Sequence, residues 1–237
     1  MTSVVLIGGG RMGLLVRARL EQVGGFELLG TYDVSNAAEL DGTAPAADLA
    51  IDFSNKAALP HVLAYVRRTG AALLSGTTGF SDAELDELQA LGEATRVVHS
   101  ANYSLGVAVL RRMCAEAARA LGDWDAEIVE THHKHKADAP SGTAKMLFSA
   151  VKEARPEARM VCGREGLAPR TAEEVGVHSL RMGEIVGVHE VHISSPSQSL
   201  TLRHEAHSRS LFAEGALCAA EFLTHAGSGL YDMKSLL

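Results

Sequence analysis

The chain has 237 residues, 46% of them hydrophobic, with a formal net charge of −7 at pH 7. This length allows one large or two small domains, whose cores need no disulfide or metal ion. The negative charge argues against nucleic acid and anionic membranes as partners, because it repels both. Three widely spaced cysteines without a Cys-x-x-Cys pair favour a reducing compartment. With no signal-like start and no apolar run of about 18 residues, we expect a cytoplasmic protein that neither binds nor spans a membrane.

Strand-like runs alternate with amphipathic helical windows through the first hundred residues. The runs cover residues 4–8, 27–32, 49–53, 72–75 and 96–100. This alternation is typical of a parallel sheet with crossover helices, so the chain is expected to be α/β with a Rossmann-like dinucleotide-binding domain over residues 1–102.

From residue 123 the pattern changes to strand-like runs that are bunched together. They cover residues 126–132, 175–182, 184–193 and 199–206, with a helical window at 143–153. Bunched strands favour a mixed or antiparallel sheet, which predicts a second, α+β domain over residues 103–207. A long helical pattern then begins near residue 208 and leads to a C-terminal segment, 208–237.

A glycine-rich turn follows the first strand. Residues 8–13 read Gly-Gly-Gly-Arg-Met-Gly and fit the pattern G-x-G-x-x-G between a strand and a helix. Glycines there permit a tight turn and let a pyrophosphate approach the helix N-terminus. The alternative is a turn that serves packing alone. The candidate cofactor contacts in this turn are Gly8, Gly10, Arg11, Met12 and Gly13.

Asp33 lies 20 residues after Gly13, at the end of the second strand-like run. A carboxylate at this place accepts hydrogen bonds from the adenosine ribose and repels a 2′-phosphate. Val34 offers no guanidinium group to offset that repulsion, so the sequence favours NADH over NADPH. Arg11 could still reach a phosphate, which leaves NADPH open.

Two further turns follow the fourth and fifth strand-like runs. Ligands of open α/β sheets collect outside the carboxyl ends of the strands, so both turns are placed to contact the nicotinamide half. The candidate residues are Gly76, Thr77 and Thr78 in the first turn, and Ser100, Ala101, Asn102 and Tyr103 in the second.

A basic cluster at residues 132–136, His-His-Lys-His-Lys, precedes Ser-Gly-Thr at 141–143. Crowded cationic groups depress each other's proton affinity, which suits a proton donor, and the N–H groups that open a helix suit a carboxylate. A solvated charged loop is one alternative. A metal site of Glu130, His132, His133 and His135 is another, but strand alternation sends these side chains to opposite faces, so we expect no metal.

The segment from Glu130 to Ala144, E-x-H-H-x-x-K-x-D-A-P-S-G-T-A, resembles the signature of the 4-hydroxy-tetrahydrodipicolinate reductase (dihydrodipicolinate reductase) family of diaminopimelate and lysine biosynthesis. The resemblance extends to the segments 10–13, 51–53, 76–80, 101–104, 164–166 and 228–233, nearly end to end. The glycine turn is one residue shorter than in many members, which leaves open which glycine meets the pyrophosphate.

The resemblance implies hydride transfer from NADH or NADPH to a cyclic imine dicarboxylate, a small-molecule substrate. It implies His132 and Lys136 as catalytic proton-transfer groups, and His133, Gly142 and Thr143 as contacts to the substrate carboxylates. It also implies that residues 103–207 bind substrate and build a homotetramer, and that the segment 208–237 returns to the dinucleotide-binding domain. Two other classes stay open: another two-domain NAD(P) oxidoreductase of an amino-acid-derived substrate, and a non-catalytic dinucleotide sensor.

Overall fold

The computed structural model describes all 237 residues, which form two compact units. Unit 1 comprises Met1–Leu105 and Ser210–Leu237, and unit 2 comprises Gly106–Arg209. None of the helices is both long enough and apolar enough to cross a membrane.

Eleven strands and six α-helices make up the two units. In chain order they are β1 (Thr2–Ile7), α1 (Arg11–Val23), β2 (Phe26–Tyr32), β3 (Leu49–Asp52), α2 (Leu59–Thr69), β4 (Ala72–Ser75), α3 (Asp82–Ala94), β5 (Arg96–His99), α4 (Leu105–Ala120), β6 (Asp125–His132), α5 (Gly142–Ala154), β7 (Arg159–Val161), β8 (Glu174–Arg181), β9 (Gly187–Ser194), β10 (Ser199–Ala206), α6 (Ser210–His225) and β11 (Gly229–Tyr231).

The sheet of unit 1 is parallel throughout, in the order β11-β5-β4-β3-β1-β2. β3 and β4 are buried at every position, as expected for strands covered on both faces. The chain order reverses between β1 and β3, and in such sheets a ligand binds at that point, outside the carboxyl ends of the strands. The predicted Rossmann-like fold is confirmed.

The sheet of unit 2 is mixed, in the order β10-β9-β6-β8-β7. The central strand β6 runs parallel to β8 and antiparallel to β9. Its burial alternates, and Ala126, Ile128, Glu130 and His132 are the buried residues. The first two pack with α4 and α5 in an apolar core, so the same face of β6 continues into the buried Glu130 and His132. The predicted α+β arrangement with a mixed sheet is confirmed.

The short strands β7 and β11 were not expected from the sequence. Each has only three residues, too few for an alternating hydrophobic pattern to be visible. β11 pairs with β5 and is the strand at one edge of the parallel sheet.

Candidate active site

The glycines of the turn between β1 and α1 differ in what surrounds them. Gly8 has φ +116°, and a Cβ there would lie 2.4 Å from the Phe53 carbonyl oxygen. A Cβ on Gly13 would lie 1.8 Å from the Gly8 carbonyl oxygen, so α1 can approach the turn only with glycine at this position. Gly10, in contrast, has open space around it and is the N-cap of α1 without a side-chain cap. The N–H groups of a helix N-terminus suit an anion, and the space beside Gly10 is open.

Asp33 lies one residue beyond β2 and leans toward this turn. Its Oδ1 accepts hydrogen bonds from the Ser35 backbone N–H (2.8 Å) and hydroxyl (2.6 Å), and these hydrogen bonds lower the pKa of Asp33. Its Oδ2 is the atom that a Cβ on Gly9 would approach, at 3.3 Å. Ser35 therefore orients an ionised carboxylate with one oxygen beside the glycine turn, where a ribose hydroxyl could donate to it.

The turns after β4 and β5 are held by a buried polar network. Asp52, 1% exposed at the end of β3, accepts hydrogen bonds from the Ser54 hydroxyl (2.5 Å) and the Ser75 hydroxyl (2.9 Å). The Tyr103 hydroxyl donates to the Ser75 carbonyl oxygen (2.8 Å), and burial raises the pKa of Tyr103 well above its usual range. Tyr103 is itself buried and supports the turn after β4 from the interior of the unit.

The remaining candidates of unit 1 lie around these turns. A Cβ on Gly76 would lie 2.2 Å from the Phe53 ring, so the turn after β4 packs closely on that ring. The Thr77 hydroxyl accepts the Ser54 backbone N–H at 3.2 Å, and the Ser100 hydroxyl donates to the Asn102 carbonyl oxygen at 2.8 Å. Thr78 and Ala101 lie in the same two turns, and Arg11 and Met12 in the first turn of α1. All of the dinucleotide candidates therefore lie at the carboxyl edge of the parallel sheet.

The carboxyl end of β6 carries a buried ionic cluster. Glu130 is 0% exposed and accepts hydrogen bonds from Arg181 on both oxygens (2.9 Å each), from His132 Nδ1 (2.5 Å) and from the Ser141 backbone N–H (3.1 Å). Burial raises the pKa of Glu130, but the hydrogen bonds from Arg181, Ser179 and His132 outweigh burial and lower it to about 2. Burial lowers the pKa of His132, although Glu130 opposes that shift.

The basic loop after β6 places Lys136 near this cluster. Lys136 Nζ pairs with Asp138 Oδ1 at 2.7 Å, so this acid balances part of the positive charge of the loop. The charge of Lys136 contributes to the lowered pKa of His132. His133 is half-buried, and its ring lies 6.3 Å from that of the exposed His135. Glu130 and His132 lie on one face of β6, as strand alternation predicts, and no group of three or more histidine, cysteine or acidic residues is arranged to hold a metal ion.

The N-terminus of α5 adjoins the same cluster. The Ser141 hydroxyl caps α5 by accepting the Ala144 N–H at 3.1 Å, and it lies 3.2 Å from His189 Nε2. Gly142 is exposed and has open space where a side chain would lie, and Thr143 follows it in the first turn of α5. A helix N-terminus favours negative charge, so this turn suits a carboxylate.

Two residues of the cluster were not assigned from the sequence. Arg181 lies directly opposite His132 in the parallel register of β6 and β8. His189 is 4% exposed, and its ring meets that of His132 edge to face at 5.1 Å. Burial lowers the pKa of His189 to about 4, so it is neutral near pH 7. Both lie in strand-like runs whose partners the sequence does not reveal.

The fold and these side chains define a dinucleotide-dependent oxidoreductase with a separate unit rich in proton donors. Comparison with family models matches residues 2–103 to the N-terminal part of dihydrodipicolinate reductase and residues 106–237 to its C-terminal part. The chain therefore belongs to the dihydrodipicolinate reductase family.

Curated relatives agree with this assignment, and a solved structure shares the fold. The chain is 36% identical to the 4-hydroxy-tetrahydrodipicolinate reductase of Alkaliphilus oremlandii, covering 96% of this chain and 95% of the relative. It is 39% identical to the corresponding enzyme of Gluconacetobacter diazotrophicus, covering 96% and 93%. The fold matches dipicolinate-bound dihydrodipicolinate reductase from Paenisporosarcina sp. TG-14 with a TM-score of 0.83 at 21% identity, over the full length of both chains.

Proposed function

We propose that this protein reduces the cyclic imine derived from 4-hydroxy-tetrahydrodipicolinate to tetrahydrodipicolinate with NAD(P)H, in diaminopimelate and lysine biosynthesis. One observation within unit 2 carries the proposal: Glu130 accepts hydrogen bonds from both His132 and the Ser141 N–H, so a ring that can exchange a proton adjoins a helix N-terminus that suits a carboxylate. The charge of Lys136 acts on the same ring. The near full-length similarity to reductases with this name supports it.

The reaction needs one hydride and one proton. The residues of the glycine turn and Asp33 would hold the dinucleotide, which would supply the hydride for C4 of the conjugated imine. Reduction at C4 would leave an electron pair on the ring nitrogen that needs a proton. In this proposal Lys136 delivers that proton, and His132 exchanges a proton as an acid or a base. In the same proposal His133, Gly142 and Thr143 bind the substrate carboxylates, because N–H donors at a helix N-terminus stabilise negative charge.

The dinucleotide site fits a nicotinamide cofactor, and we propose NADH as the preferred form. The residues that hold it are those of the glycine turn, Asp33 and the turns after β4 and β5. The ionised Asp33 disfavours a 2′-phosphate, and the next residue, Val34, is 85% exposed and uncharged.

A homotetramer formed through unit 2 is also proposed. The face of its sheet that does not pack on α4 and α5 carries Val129 and Thr131, both half-buried, and Leu180, 49% exposed. Light scattering after size exclusion tests this assembly.

The deciding assay follows absorbance at 340 nm with purified protein, NADH or NADPH, and substrate generated from pyruvate and aspartate semialdehyde by the preceding synthase. We expect oxidation that depends on both proteins and is faster with NADH. A preference for NADPH of about tenfold or more would contradict the role given to Asp33. Binding of dinucleotide without oxidation would favour a sensor or another oxidoreductase.

Lys136→Ala tests the proton donor. We expect kcat to fall about 100-fold or more, because a positioned general acid contributes that much, while NADH binding is retained. Lys152→Ala, at an exposed position of α5, is the matched control and should keep wild-type turnover. Activity of Lys136→Ala near wild type would refute this role.

A further inference from the structure

Glu130 is the most thoroughly enclosed charge in unit 2. None of its side chain is exposed, and its carboxylate accepts from Arg181, His132 Nδ1 and the Ser141 N–H. Such a burial is costly unless every lone pair has a donor, and here each oxygen has at least two. The position therefore specifies a carboxylate and not merely a polar side chain.

Arg181 determines what this carboxylate can do. Its guanidinium binds both oxygens of Glu130 and also donates to the Asp138 carbonyl oxygen at 2.7 Å. A bidentate arginine keeps a carboxylate ionised, so Glu130 accepts the His132 hydrogen bond without taking its proton. The proton between the two side chains stays on His132 Nδ1.

The other ring nitrogen of His132 is left for chemistry. A Cβ at Gly187 would lie 3.0 Å from His132 Nε2, so glycine at this position leaves space beside that nitrogen. His189 packs edge to face against the same ring and restrains its rotation. The imidazole is therefore held by a carboxylate on one side and a ring on the other, in the arrangement that orients histidine bases in other enzymes.

We propose that Glu130, held by Arg181, is a positioning residue that fixes His132 as the Nδ1–H tautomer, so that Nε2 exchanges the proton with substrate. This inference rests on the proposed function in assigning His132 a proton-transfer role. The tautomer itself is a property of the free protein and can be measured without turnover.

The first test is the tautomer in wild-type protein labelled with ¹⁵N-histidine, read by NMR of the ring nitrogens. The His132 signals are assigned by comparison with His132→Gln. We expect a protonated Nδ1 and an unprotonated Nε2 above the titration of the ring. A proton on Nε2 in the neutral ring would overturn the inference, whether or not the protein proves to be the reductase.

The second test is Glu130→Gln, with Glu174→Gln as the control. Glu174 is 8% exposed and paired with Arg159 and Arg164, so the control removes a comparably buried, arginine-bound carboxylate of the same unit. In Glu130→Gln the amide can place its NH₂ group toward Nδ1 and force the proton onto Nε2. We expect kcat to fall on the order of 100-fold with KM changed only a few fold, and wild-type kinetics in the control.

A double variant separates positioning from a general structural role. If Glu130 acts through His132, the double variant Glu130→Gln/His132→Gln should turn over as slowly as His132→Gln alone. Additive losses, or a Glu130→Gln variant with wild-type kcat, would refute the assignment. Should Glu130→Gln fail to fold, the wild-type tautomer still decides the matter. Wild-type protein without reductase activity would instead refute the proposed function.

Discussion

Single glycines in the turn after β1 differ in what they contribute. Gly8 and Gly13 are required by backbone contacts, whereas Gly10 has no neighbour within 4 Å of the place a side chain would occupy. The pattern G-x-G-x-x-G treats them alike, but the backbone contacts require glycine at Gly8 and Gly13 and do not require it at Gly10.

Substitution of Gly10 and Gly13 by alanine should separate these two roles. Gly13→Ala should destabilise unit 1 by about 3 kcal/mol or more, because its Cβ overpacks against a backbone oxygen. Gly10 has φ −77° and ψ −175°, a conformation that alanine adopts freely. The melting temperature of Gly10→Ala should therefore stay close to that of wild type. The Kd of Gly10→Ala for NADH should rise about tenfold, because the alanine Cβ would occupy the space that we assign to the pyrophosphate. Thermal unfolding and fluorescence titration measure the two effects, and an unchanged Kd for Gly10→Ala would contradict the assignment.

The helix α5 shows how a whole element is positioned by its N-cap residue. Ser141 caps the helix through its hydroxyl, while its backbone N–H is fixed by Glu130 and its hydroxyl adjoins His189. The N-terminus of α5 is thereby joined to β6 and β9, next to the pair of Glu130 and His132.

Ser141→Ala should lower both stability and substrate affinity. Loss of an N-cap costs about 1 kcal/mol, and the displaced first turn should raise KM for the dicarboxylate substrate. Ser81→Ala is the matched control, because Ser81 caps α3 in a capping box with Glu84, on the other unit. We expect a similar loss of stability from both variants in urea denaturation, but a raised KM only for Ser141→Ala. If Ser141→Ala and Ser81→Ala had the same KM, Ser141 would not position the substrate site.

The stability of the protein as a whole should depend on buried histidines as the pH falls. Burial lowers the pKa of His99, His132, His189 and His204. The unfolded chain binds protons at these residues more readily than the folded protein, so unfolding takes up protons and acid favours it. Burial lowers the pKa of His189 from 6.5 to about 4.

His189 alone should contribute on the order of 3 kcal/mol of pH-dependent stability, present above pH 6.5 and lost as the pH falls to about 4. The lowered pKa of Glu130 extends the loss from pH 4.5 toward 2, since its ionised form stabilises the folded state above that window. The free energy of unfolding in urea, measured from pH 8 to pH 4, should fall less steeply in His189→Gln than in wild type. His225→Gln, at an exposed position, is the control and should keep the wild-type slope. An identical slope in all three proteins would contradict the role of His189.

The sequence alone determined the local parts of this protein. Hydrophobic periodicity predicted the strands from β1 to β5 and the helices between them, because burial of one face imposes the repeat. The glycine turn, Asp33 and the segment from Glu130 to Ala144 were visible because their signal lies in adjacent residues. The strands β7 and β11 were not predicted, since three residues carry no usable periodicity.

Only the tertiary structure decided which side chains share a site. Arg181 meets Glu130 across 51 positions of sequence, and His189 meets Ser141 across 48, because strand pairing and helix docking bring them together. Other long-range contacts decided that the Tyr103 hydroxyl bonds to the end of β4, and that Gly8 and Gly13, but not Gly10, are packed against backbone atoms. Register and packing are long-range properties, and spacing along one chain does not contain them.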